Sequence, residues 1–134
     1  MQPEAPFDNK PEPGSPADWI RHARSDLALA RIKAPSEVLT ETLCFHAQQA
    51  AEKALKAVLV AHDQPAPRTH NIRTLIERLP SHLDPPFLLD EAAGLSVYAV
   101  LTRYPADMEP VSKDEYQEAV SLAEAVVDWA EQHV

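Results

Sequence analysis

The stretch CFHAQQAAEKALKAVLV, residues 44–60, leaves this chain little choice of fold. At about 100° per residue, Leu43, Ala47, Ala50, Ala51, Ala54, Ala57, Val58 and Ala61 share one broad arc, so the segment is predicted to be a helix with one buried face. Alanine is a strong helix former and lets a neighbouring helix approach closely. A second row, His46, Gln49, Lys53 and Lys56, recurs at intervals of three and four on another part of the wheel. The helix thus offers both a core and a line of groups capable of chemistry.

The rest of the chain reads as further helices punctuated by proline. Ser15 is placed to cap a helix over 16–34, with Pro16 at its first position, Asp18 in its first turn, and Trp19 or Ile20, Ala23, Leu27 and Ala30 as the buried stripe. Pro35 ends it. The central helix starts at Ser36 or Thr40 and stops near His62, ahead of Pro65 and Pro67. Asn71 caps a short helix over 71–79 with Ile72, Leu75, Ile76 and Leu79 on one face, and Pro80 stops it. A fourth helix is predicted over 87–104, with Gly94 inside it at a cost of ~1 kcal/mol relative to alanine, a place for close backbone packing. Ser112 to Glu115 form a capping box that opens the last helix, whose stripe is Tyr116, Ala119, Val120, Ala123, Val127 and Ala130.

No stretch alternates as a strand does, and no internal repeat is present. The expected fold is all-α, an antiparallel up-and-down four-helix bundle with an extra short helix over residues 16–134. Residues 1–15, with Pro3, Pro6, Pro11 and Pro13 and almost no apolar material, are expected to be a flexible tail. Alanine-rich bundles often complete their packing against a second copy, so a homodimer is expected.

Composition narrows the function classes. A net charge of −9 over 134 residues argues against a protein that grips nucleic acid mainly by unspecific phosphate attraction. The charge is uneven: between His46 and Arg78, five Lys or Arg stand against three Asp or Glu, a balance compatible with a local anion site or with a solvated surface of mixed charge. The single cysteine, Cys44, cannot form an intramolecular disulfide and is expected to act as a small buried hydrophobe. No apolar run approaches the ~20 residues that cross a bilayer and no signal peptide is visible, so a cytoplasmic protein with no membrane partner is expected. No cofactor is expected. The histidines are scattered without His-x-x-x-His spacing, which leaves no metal site, and with Gly14 and Gly94 as the only glycines there is no phosphate loop.

Three candidate sites remain. The row His46, Gln49, Lys53 and Lys56 can hold a phosphate or a polar base, or be a solvated face with Glu52 paired to Lys56 at i,i+4. Arg103-Tyr104-Pro105 ends the fourth helix; Arg103 lies close enough to the apolar arc to present its fork to a phosphate, or to satisfy the last carbonyls or Asp107. The loop Arg68-Thr69-His70-Asn71 opens the third helix, where His70 is either an anion contact or a packing residue.

With these motifs in hand, the chain resembles the HEPN family from about Asp18 to Val134. The resemblance is carried by Asp18-Trp19, Asp26-Leu27-Ala28-Leu29-Ala30, Phe45-His46-Ala47-Gln48-Gln49-Ala50-Ala51-Glu52-Lys53-Ala54-Leu55-Lys56-Ala57, Thr69-His70-Asn71-Ile72 with Leu75, and Tyr98 with Thr102-Arg103-Tyr104-Pro105-Ala106-Asp107. It implies a dimeric bundle associated with nucleotide binding, often paired with a minimal nucleotidyltransferase as toxin and antitoxin. Many family members are metal-independent ribonucleases with an Arg followed at short spacing by a His. Here Arg103 has no His after it until His133, and Arg78 and His82 stand one residue too close and span Pro80. The expectation is therefore a binding module for a nucleotide, a nucleic-acid phosphate or a nucleotidyltransferase partner, using His46, Gln49, Lys53, Lys56, His70, Tyr98, Arg103 and Tyr104. The alternative is a ribonuclease toxin with a nonstandard site built on Arg103 and His46.

Overall fold

The computed structural model describes residues 10–101, 106 and 109–134, and every regular element among them is helical. The α-helices are α1 (Pro16–Arg31), α2 (Thr40–Ala61), α3 (Ile72–Glu77), α4 (Leu88–Ala92), α5 (Ser96–Leu101) and α6 (Lys113–Glu131), with short 3-10 turns at Ser81–Leu83 and Ala93–Leu95. Local chemistry sets several starts. Ser15 accepts from the Asp18 amide, Asn71 from that of Thr74, and Ser112 and Glu115 complete the reciprocal capping box. α2 begins at Thr40 with no side-chain cap, and tertiary packing holds it instead.

Three predicted helices differ from the observed ones, one of them only in length: α3 spans Ile72–Glu77 instead of 71–79. α1 stops at Arg31, and Ile32 is already extended. Pro35 disfavours helical backbone at the residue before it, so the last turn gives way to a loop. The predicted fourth helix is broken into α4, the 3-10 turn at Ala93–Leu95 and α5. Gly94 sits in that turn, but no backbone approaches it: a Cβ built there meets nothing within 4 Å. The far end of the predicted helix, including Arg103 and Tyr104, lies outside the described residues.

Polar contacts fix how the helices run. Glu41 at the start of α2 accepts from the Val111 amide just before α6 at 2.8 Å, and His62 at the end of α2 donates Nε2–H to the carbonyl of His133 just after α6, also at 2.8 Å. α2 and α6 are therefore parallel. Arg24 pairs with Asp128 and Glu131, while Arg31 pairs with Glu124, so α1 runs antiparallel to α6 and hence to α2. This is the up-and-down arrangement of a bundle.

The core is one cluster centred on α2. Ala47, Ala50, Ala51, Ala54, Val58 and Leu59 of α2 share it with Ala23, Leu27 and Ala30 of α1 and with Val126, Val127 and Ala130 of α6. Leu55, Leu59 and Cys44 are buried as well, although they lie off the alanine arc. α2 is thus enclosed on most of its circumference, not on one face. No helix among the described residues is long and apolar enough to cross a membrane.

Candidate functional site

Enclosure of α2 carries polar side chains inside with it. Gln48 is fully buried, Glu52 is 3% exposed and Lys56 7%. A buried carboxylate must be compensated. Lys56 Nζ donates to Glu52 Oε2 at 3.0 Å, while Oε1 accepts from His70 Nδ1 at 2.8 Å and from Gln48 Nε2 at 3.2 Å. Gln48 Nε2 also reaches the His70 carbonyl at 3.1 Å, and its Oε1 accepts from Gln49 Nε2 at 2.7 Å. The Lys56 ammonium lies 5.5 Å from the centroid of the Trp19 ring, which faces it from α1. Among the described residues no buried side-chain nitrogen or oxygen lacks a partner.

A second cluster joins α2 to α1. Asp26 of α1 accepts from Lys53 Nζ at 2.6 Å and from His46 Nδ1 at 3.0 Å. The His46 ring packs edge-on against Phe45.

Both clusters determine a tautomer. A carboxylate has no proton to donate, so the contacts at 2.8 Å and 3.0 Å place the hydrogens on His70 Nδ1 and His46 Nδ1. Each Nε2 is then free of hydrogen bonds from the described residues. The His70 side chain is 54% exposed and that of His46 25%. An imidazole oriented by a carboxylate, with its other nitrogen open, can accept a proton, donate one, or hold an anion once protonated.

The row expected from spacing is therefore present but divided. His46 and Lys53 face α1 through Asp26; Gln49 and Lys56 belong to the Glu52 network, which also takes in His70. Tyr98 is elsewhere. Its hydroxyl donates to the Cys44 thiol, about 140° around α2 from Gln49. Burial pushes the Cys44 thiol up to about 11 and Tyr98 up to about 12, the Cys44 charge adding to the latter. Tyr98 lines a cavity of about 190 Å³ with Glu91, Leu95, Glu115 and Glu118. Arg103 and Tyr104 lie outside the described residues. Periodicity alone does not point to Gln48 or to Asp26, which lies outside the buried stripe predicted for α1. The signal for the first is the run Gln48, Glu52, Lys56 at i,i+4, two hydrogen-bonded steps along one helix.

Against known proteins, the HEPN domain profile matches residues 16–133. Two solved structures are similar. One is TT1696 from Thermus thermophilus, 33% identical with a TM-score of 0.77, covering 90% of this chain and 99% of that one. The other is ST0689, described as an archaeal HEPN homologue, 29% identical with a TM-score of 0.67, covering 88% of this chain and 96% of that one. No curated protein matches the chain.

Proposed function

Because this chain belongs to the HEPN family, we propose that it is a binding module whose α2 polar face holds the phosphate of a nucleotide or nucleic acid. One observation carries the reading: a hydrogen-bonded network runs along α2 from buried Lys56 through Glu52 and ends at the exposed imidazole of His70. Buried ionic groups rarely stabilise a fold more than apolar packing of the same volume, which favours a role beyond stability for this one. His46, Gln49, Lys53 and Lys56 complete the face. Arg103 and Tyr104 are assigned to it from the sequence motif, and a minimal nucleotidyltransferase, in a toxin and antitoxin type of pair, is the protein partner this reading admits.

Calorimetric titration with ATP, other nucleotides and short RNA tests it. Binding by the wild type that weakens at least about tenfold in His70→Ala and Arg103→Ala is the expected result, the loss of one charge-assisted contact. A wild type that binds none of these ligands refutes it.

The His46–Asp26 pair supports a second reading, a ribonuclease in which His46 moves a proton and Arg103 stabilises the developing charge. RNA cleavage in chelator that is lost in both His46→Ala and Arg103→Ala would favour this reading. Cleavage equal in all three proteins would reject it as contamination.

A further inference from the structure

The charges on the α2 face cancel in groups. Lys53 is held on Asp26 at 2.6 Å and Lys56 on Glu52 at 3.0 Å. Each carboxylate is shared with one imidazole, His46 on Asp26 and His70 on Glu52. With both imidazoles neutral, each group of one ammonium, one carboxylate and one imidazole sums to zero. An arriving phosphate therefore meets paired lysines. Gripping it with Lys56 means drawing a 7% exposed ammonium away from Glu52 and leaving that buried carboxylate beside a second anion.

The imidazoles carry no such obstacle. Their Nδ1–H bonds to the carboxylates survive protonation and strengthen with it, because the donor becomes charged. A proton on Nε2 creates a donor on the nitrogen that bonds to none of the described residues and brings each group to +1. The charged and titratable groups facing the rings are Asp26 from α1 and Lys53 from α2 at His46, and Glu52 from α2 at His70, with Lys56 on the far oxygen of Glu52. No other charged side chain among the described residues is bonded to either ring.

We infer that His46 and His70 are phosphate grips, each within its own cluster, that Lys53 and Lys56 serve as internal counter-ions, and that a phosphate at either ring binds together with a proton taken up on Nε2. The inference rests on the phosphate-binding reading above. It changes which residues touch the ligand and makes affinity depend on pH: a ligand that binds together with protons binds more tightly as pH falls.

The test is calorimetry with ADP and with a short 2′-O-methylated oligoribonucleotide, in buffers of different ionisation enthalpy, from about pH 6 to about pH 8. The diesters of the oligonucleotide do not titrate near neutrality, so its proton uptake belongs to the protein; that of ADP is corrected for its own phosphate. The expected result is uptake of about one to two protons per ligand, with affinity falling as pH rises by up to about tenfold per unit for each linked proton. His46→Gln and His70→Gln keep an amide donor for the carboxylate, and each should remove about one proton from the uptake and flatten the pH dependence. Binding to the wild type without proton uptake and with constant affinity overturns the inference while leaving phosphate binding intact. Failure of both probes to bind at any pH overturns both.

Discussion

At the scale of single residues, Glu52 decides most. It is 3% exposed and holds together Lys56, His70 and Gln48. Glu52→Ala strands a buried ammonium, and urea unfolding should show a loss of roughly 3 kcal/mol or more, whereas replacing Glu52 and Lys56 together by leucine should cost far less. Near-equal losses would mean that the pair itself stabilises the fold beyond its volume, and would refute a stranded ammonium as the cause. Cys44 and Tyr98 make a prediction in the opposite pH direction from acid unfolding. The thiol is raised from 9.0 to about 11 and the phenol from 10.0 to about 12, so the unfolded chain ionises first. The stability contributed by the neutral forms is complete below pH 9 and is lost as pH rises through 11 and 12. Melting temperatures should fall over that window, and less so in Cys44→Ala; identical alkaline profiles would refute the coupling. The Glu52 to Lys56 pairing can be read from i,i+4 spacing, but its burial cannot, because burial depends on what packs outside.

Among the elements, termini written in local chemistry are legible in the sequence and breaks set by context are not. The Ser112 to Glu115 capping box and the Ser15 and Asn71 caps appear where the sequence places them, since each needs residues only three apart. The break at Ala93–Leu95 has no such local signal. An isolated glycine is tolerated in a helix, and the period of the apolar residues runs on through it. Gly94 lines the Tyr98 cavity, and a Cβ there meets nothing within 4 Å. Gly94→Ala should therefore stabilise the protein by about 0.5–1 kcal/mol, mostly by restricting the unfolded chain, with melting temperature as the readout. A destabilised variant would show that the 3-10 turn needs glycine for a reason other than space.

For the whole molecule, parallel α2 and α6 with antiparallel α1 close a bundle whose central helix has few open sides. Leu39, Phe87 and Val100 remain 61%, 76% and 58% exposed, and the homodimer stays a proposal that the mass in solution decides. Light scattering at micromolar concentration should give twice the 14.8 kDa mass of the chain, and a monomer under those conditions would refute that expectation. The sequence by itself determined the fold class and the buried stripe of α1, because apolar periodicity, caps and prolines act over a few residues and need no partner to be read. It also marked His46, Gln49, Lys53 and Lys56 as one row. The tertiary structure alone decided that Asp26 and His70, remote from that row in sequence, complete it, that its lysines are already neutralised, and that Tyr98 belongs to another side of α2. The reason is that periodicity specifies a face of one helix, whereas the charge a ligand meets is set by the elements packed against that face.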